Sequence, residues 1–328
     1  MHPFTNQNYI YSLIAGCSMS MVIMNDGTLW TWGENSYGQI GNGTTEYQYM
    51  PVRVLDYVIM ASNSFGRTMA VQSNVSLWAW GNNSGGFYGN NTTKCSYVPI
   101  KIFDNVSFVS VGDFQTAVIK NDGSLWVWGA LEQDYYFNIY WPPTPTKIMD
   151  DVIYVSVSSS HAMAITGDGV LFGWGFNFDG GLGIGIVGCL DNIWWFEHQS
   201  LPPVPIMENV RNVVVGLGNT FVITNDGALL AWGENRSGSL GDGTRMHQIY
   251  PVKIMDDVSY ISLGRAITSD GVLWGWGRAH LYPVIMMDNV LLVSSMGQSL
   301  AKTYNGDLWY WADNIYGQLG FPVRLNNY

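Results

Sequence analysis

The pattern Asp-Gly-x-Leu-Trp-x-Trp-Gly returns seven times along this chain, and a chain that repeats itself in this way has few folds open to it. Asp26–Gly33 (DGTLWTWG) and Asp122–Gly129 (DGSLWVWG) are full copies. Asn74–Gly81, Asp168–Gly175, Asp226–Gly233, Asp270–Gly277 and Asn305–Ala312 are looser ones. Their last aromatic residues, the anchors of the repeat, are Trp32, Trp80, Trp128, Trp174, Trp232, Trp276 and Trp311. A period of about 50 residues, rich in β-formers and turn residues, marks a propeller or solenoid built from one recurring supersecondary unit.

Each Trp-Gly is followed, after a stretch of varying length, by a Pro-Val-x-Ile-like segment. The matching prolines are Pro51, Pro99, Pro145, Pro203, Pro251, Pro283 and Pro322. From proline to the next anchor tryptophan the first four intervals are 29 residues each, and the last two are 25 and 28. From tryptophan to the following proline the intervals scatter: 19, 19, 17, 29, 19, 7 and 11. A fixed length marks a segment packed against its neighbours, whereas a variable length marks exposed loop, where insertions cost little. The unit is a rigid core with a loop free to change.

The core reads as β throughout. Pro251–Met255, Val258–Leu263, Ala266–Thr268 and Val272–Trp276 are short β-rich runs bounded by Asp-Asp, Gly and Asp-Gly. The Asp-Gly step is a strong hairpin signal, because glycine reaches positive φ without steric cost. No segment keeps a 3.6-residue apolar period over three turns, so helical repeats are excluded. Four antiparallel strands per unit make a propeller blade. The anchor tryptophans are then wedges between adjacent blades, and truncating one to Ala is expected to cost roughly 3–5 kcal/mol.

The segment after Trp-Gly carries a second pattern. Gly33-Glu-Asn-Ser-Tyr-Gly-Gln-Ile-Gly-Asn-Gly-Thr44 matches Gly233-Glu-Asn-Arg-Ser-Gly-Ser-Leu-Gly-Asp-Gly-Thr244, with variants at 81–92, 175–185 and Asn314–Gly320. Together these residues resemble the regulator of chromosome condensation repeat family, in its bacterial-like seven-repeat form, across residues 3–328. The resemblance implies an all-β, seven-bladed propeller of four-stranded antiparallel blades, filling residues 1–328 as a single domain. Kelch and Trp-Asp propellers fit less well, since their signatures are missing. The family often places a histidine thirteen residues before the anchor. Here only His161 does so, with Met19, Arg67, Gln115 and Asn219 at that place in other copies, and a structural role is expected for it. Repeats three and six lack the Gly-Gln-Leu-Gly turn.

Phe321-Pro-Val-Arg-Leu325 begins an eighth unit that does not continue, and it repeats Pro51-Val-Arg-Val54. The expectation is that this strand pairs into the first blade and closes the ring, so that deleting residues 321–328 lowers the melting temperature sharply. Leu13-Ile-Ala-Gly-Cys17 imitates a lipoprotein cleavage box, yet no Lys or Arg precedes it, as a secretory signal requires. It is read as a blade strand, and a cytoplasmic location is favoured. No apolar run approaches the length of a membrane span.

Charge and chemistry narrow the function. Charged residues make up 12% of the chain and the net charge is −11, with no basic run. That opposes nucleic-acid binding, whose phosphates need clustered cations. Cys17, Cys95 and Cys189 form no disulfide framework. The histidines are not paired at metal spacing, and the glycine-rich turns lack the lysine and strand–helix unit of a phosphate cradle. Asp179–Gly185 has too few oxygen ligands for calcium. No catalytic residue, cofactor or metal is expected, and the chain is read as a monomeric, non-enzymatic interaction scaffold.

The candidate docking site lies where the loops break from the repeat and become aromatic. Loop three holds Tyr135, Tyr136, Phe137, Tyr140 and Trp141, and the enlarged loop four holds Trp194, Trp195 and Phe196. Tyr and Trp dominate binding hot spots because they bury large area at small entropic cost. The expected partner is a protein. The resemblance also implies guanine-nucleotide exchange on a small GTPase as an alternative, though no exchange residue of the family is identified here. Carbohydrate recognition by exposed Trp and Tyr beside Asn and Asp is a further alternative. Some relatives are ultraviolet photoreceptors, but their clustered Trp-Arg motif after a glycine is absent.

Overall fold

The structure, a computed structural model, describes residues 10–16, 18–129, 132–133, 139–140, 144–177, 179–186 and 201–311. The first blade is β1 (Ile10–Ala15), β2 (Met19–Met24), β3 (Leu29–Gly33) and β4 (Gln48–Leu55), hydrogen-bonded in that order. All its pairings are antiparallel. Blades two to six repeat this plan over residues 58–103, 106–149, 152–207, 210–255 and 258–287. In blade seven three strands are described, over residues 290–311. The protein is an all-β, seven-bladed propeller, with no helix among the described residues.

The blades are cut differently from the sequence units. The Pro-Val strand pairs backwards, with Leu29 opposite Leu55 and Thr31 opposite Val52, so it is the outer strand of the blade before it. Each sequence unit therefore gives an outer strand to one blade and three inner strands to the next. The first blade has its four strands from residues 10–55 alone. Residues 321–325, expected to close the ring there, lie outside the described residues.

Core packing follows the same cut. The buried apolar residues of the described chain fall into seven clusters, each shared by two neighbouring blades. Ile10, Leu13 and Trp32 of blade one pack on Leu300 of blade seven, which closes the circle. Trp80, Trp128 and Trp232 are fully buried in such joints, and Trp32, Trp174 and Trp276 nearly so. Trp311 is half-buried.

Hydrogen bonds reinforce the joints around the central channel. A serine near the end of the inner strand accepts the backbone N–H of the next blade's inner strand. Ser62 serves Val111 at 3.0 Å, Ser110 serves Val157 at 3.1 Å, and Ser156 serves Val215 at 3.1 Å. Ser262 serves Ser295 at 2.8 Å, and Ser294 serves Ala15 at 2.9 Å, across the closure.

Short turns form the face opposite the variable loops. At the hairpin turns, Asp26 accepts Thr28 N–H at 2.9 Å and Asp122 accepts that of Ser124 at 3.0 Å. These hydrogen bonds hold both carboxyls below the ordinary carboxylate range. The residue after the carboxylate is glycine in most copies, but Val75 occupies that place in blade two at φ 60°. A β-branched side chain is strained there.

Candidate functional site

Antiparallel order sends two kinds of connection to the other face. The tight turns between the first and second strands ring the channel mouth, and the long connections between third and fourth strands surround them. One asparagine organises each regular long connection. Asn35 accepts Ile40 N–H at 2.8 Å and donates to the carbonyls of Thr44 and Glu46, both at 3.0 Å. Asn83, Asn177 and Asn235 repeat this acceptance from Tyr88, Leu182 and Leu240.

The turn so formed points a carbonyl at the next blade. Trp80 Nε1 donates to Gln39 O at 2.8 Å, Trp128 to Phe87 O at 2.7 Å, Trp232 to Gly181 O at 2.8 Å and Trp276 to Ser239 O at 2.8 Å. The second glycine of the motif is required by contact as well as by conformation. Gly41 has φ 87°, and a Cβ there would lie 2.7 Å from Trp80 Nε1.

Loops three and six depart from this scheme. Leu131 and Ala279 stand where the asparagine is needed, three residues after the anchor. The tryptophans of the following blades, Trp174 and Trp311, have buried Nε1 atoms without a hydrogen-bond partner among the described residues. An unsatisfied buried donor costs about 1–3 kcal/mol. Loop three instead forms a two-stranded hairpin outside the blade sheets, with Glu132 opposite Tyr140 and Gln133 opposite Ile139. Tyr140 is described through its backbone alone. Tyr135, Tyr136, Phe137, Trp141, Trp194, Trp195 and Phe196 lie outside the described residues. The strands that flank loops three and four place both loops on this one face, on neighbouring blades.

The position expected to hold a histidine is a latch between blades. His161 is buried, with Nε2 2.8 Å from Thr220 Oγ1 on the next blade, and burial pushes its pKa down to about 4. Gln298 donates to Met19 O at 2.7 Å and Ser20 Oγ at 2.8 Å across the ring closure. Arg67 reaches the third blade, donating to Asp113 O at 3.0 Å and to Gly112 O, and lies 4.1 Å over the Phe87 ring. Burial lowers its pKa to about 9, against the opposing pull of Asp113.

Above these latches, at the channel mouth, is a cavity of about 320 Å³. Its walls include Met19, Glu34, Tyr37, Phe65, Asp113 and Met296, drawn from blades one, two, three and seven. Sequence reading missed this site. Phe65, Asp113 and Met296 each stand fifteen residues before their anchors, but that position changes in chemical character from copy to copy, so the spacing alone marks no site. The asparagines three residues after the anchors, and Ser62, Ser110 and Ser156 eighteen residues before theirs, keep both spacing and residue type and were available as a signal.

The regulator of chromosome condensation (RCC1) repeat matches residues 26–71 and 226–269. Prp20p from Saccharomyces cerevisiae has the same fold, with a TM-score of 0.76 at 19% identity over 91% of this chain and 84% of that one. The chain carries RCC1-type repeats. Human WBSCR16 also superposes, with a TM-score of 0.73 at 22% identity over 90% of this chain and 87% of that one. In sequence, this RCC1-type propeller is similar to two Arabidopsis thaliana proteins. It is 32% identical over 99 residues to the mitochondrial RCC1 domain-containing protein RUG3, covering 27% of this chain and 22% of that protein. It is 26% identical over 179 residues to the ultraviolet-B receptor UVR8, covering 46% and 38%. The match thus spans less than two fifths of either relative's length.

Proposed function

We propose that this RCC1-type propeller is a non-enzymatic scaffold that docks a protein partner on its loop face, through the aromatic segments of loops three and four. The observation that carries the reading is the third connection. In every regular connection a carbonyl accepts the indole N–H of the next blade, whereas this one forms a separate hairpin and Trp174 Nε1 has no partner among the described residues. Loop six gives up the same contact with only 7 residues from tryptophan to proline, whereas loop three keeps 17 and holds five of the eight candidate aromatics. Loop four keeps its regular turn, since Gly181 O still receives Trp232, and carries its extra aromatics beyond that turn.

The test is affinity capture from the source organism's lysate. Wild type is compared with a folded Tyr136→Ser/Trp141→Ser/Trp194→Ser/Trp195→Ser variant, and hydrogen exchange then maps the captured complex. A protein held only by wild type, with protection over residues 130–143, supports the docking role. Identical captures, or none, reject it. The yeast homologue Prp20p is described by its binding to Gsp1p and to histones. If the captured protein is a small GTPase, release of a fluorescent nucleotide decides between exchange and passive docking. Binding on a glycan array with no captured protein would instead favour carbohydrate recognition.

A further inference from the structure

The cavity at the channel mouth is lined by two carboxylates and by aromatic rings. Glu34 is held by the hydroxyls of Ser18 and Ser36, the latter at 3.0 Å, and Asp113 accepts Ser64 Oγ at 2.5 Å. Among the described residues neither carboxylate has a salt-bridge partner. The nearby Arg67 spends its Nη donors on backbone carbonyls of the 112–115 turn. Beside the cavity Gln298 is buried, and its Oε1 is left without a donor. The unsatisfied groups nearby are the Gln298 Oε1 acceptor and the Nε donor of Arg67, which is turned to the 112–115 side, so the two carboxylates remain the charged acceptors of the cavity wall.

Aromatic rings supply the flat walls. Tyr37 is 48% exposed and Phe65 52%, although each could have turned inward or been replaced by a polar residue. Tyr37 lies against Gly66, where a Cβ would come within 2.5 Å of its ring. Phe65 and Gly66 are the two central residues of the hairpin joining Ser64 to Arg67, with φ 45° and 71°. Asn or Gly is the low-energy choice at the first of these positions, and a bulky residue there is an outlier. Strain of this kind persists where a surrounding function requires the side chain. Here it holds an aromatic ring, tilted against Phe114 at 5.8 Å, at the rim of the cavity.

We propose that this cavity takes the guanidinium of a single arginine presented by the docking protein, stacked on Tyr37 and Phe65 and hydrogen-bonded to Glu34. The assignment rests on the docking reading above and names the chemistry of the contact. Arginine suits the site better than lysine because its planar fork stacks on aromatic faces and pairs with carboxylates in a bidentate manner. The cavity lies at the small end of the range for ligand pockets, enough for one side chain. The net charge of −11 draws a basic partner to the molecule as a whole.

Two of the walls are methionines, so methyl-13C methionine NMR reads the site directly. The full-length protein is titrated with acetyl-Gly-Arg-Gly-amide and with the uncharged citrulline analogue. Met246 on blade five, 71% exposed, serves as the remote reference. The expected result is a saturable shift of the Met19 and Met296 methyls with the arginine peptide, and about tenfold weaker binding of citrulline, the span of a charge-assisted hydrogen bond. Glu34→Gln should weaken the arginine peptide by a similar factor. Phe65→Asn should weaken it too while raising the melting temperature, a combination that a purely structural phenylalanine would not give. Equal response to arginine and citrulline, or no saturable shift at the two methyls, overturns the assignment. If lysate capture depends on loops three and four while the peptide leaves both methyls unmoved, the arginine site falls and the docking face stands. If neither responds, both fall.

Discussion

Exchanging an anchor tryptophan for phenylalanine removes the indole N–H while keeping a ring in the joint, and the consequence depends on the joint. Trp80 donates to Gln39 O at 2.8 Å, so Trp80→Phe loses a buried hydrogen bond worth about 0.5–1.5 kcal/mol. Gln39 O retains Thr68 Oγ1 at 2.9 Å, which limits the loss to the donor side. Trp174 has no acceptor for its Nε1, so Trp174→Phe removes an unsatisfied donor and recovers about 1–3 kcal/mol of desolvation. The loss of ring volume is common to both and cancels in the difference. Trp174→Phe should therefore be the milder substitution by about 2–3 kcal/mol. At roughly 2 °C per kcal/mol for a chain this large, the melting temperatures should differ by about 4–6 °C. Differential scanning calorimetry of the two variants measures it. Equal losses would show that the unpaired indole carries no cost, and the argument that loop three has given up a stabilising contact would fail.

The other predictions concern joints and turns. Val75→Gly should raise the urea midpoint, by about 1 kcal/mol in stability, because glycine adopts φ 60° without strain even after its greater unfolded-state entropy is counted. Ser294→Ala leaves Ala15 N–H at the ring closure without its acceptor and should cost about 1–2 kcal/mol, seen as faster amide exchange at both Ala15 and its strand neighbours. His161 titrates near 4 when folded, against its ordinary 6.5 when unfolded, because burial disfavours the cation. The unfolded chain takes up the proton first, so stability present above pH 6.5 is lost as the pH falls from about 6.5 toward 4. Between pH 7 and 5 the loss should be on the order of 2 kcal/mol. His161→Gln, with the residue found at the same position in Gln115 and Gln298, should flatten denaturation midpoints across that range.

Much of the fold was legible because its strongest determinants recur. The anchor tryptophans, the Asp-Gly hairpins and the Pro-Val strands are each set by a local requirement: a ring to fill a joint, a positive φ, an edge strand that can spare an N–H. The phase of the blades was not legible. Only two residues separate Leu55 from Val58, which in a sequence looks like a hairpin between paired strands. In the structure Tyr57 takes φ 59° and turns the chain into the next sheet instead, as Asn105, Asp151, Asn209, Asp257 and Asn289 do later. Hydrogen-bond register decides this, and register is a property of two strands together. The expected strand runs at 251–276 fall where the structure has them, grouped into different blades. For the site, the aromatic loops stood out because they break a pattern. The cavity at the channel mouth did not, since Glu34, Phe65, Asp113 and Met296 meet only when the ring is closed.

The offset between sequence unit and blade has a consequence for how such a chain can grow. The fixed-length stretch from Pro51 to Trp80 holds the outer strand of one blade and the wedge of the next, so what is copied intact is a joint. A duplicated unit arrives with its own seam already fitted on one side, and its partner surface is supplied by any other copy. Recombination within the long connections leaves every seam untouched and exchanges only what the molecule shows on one face. The ring can thus acquire a new surface in a single genetic event while its masonry stays the same.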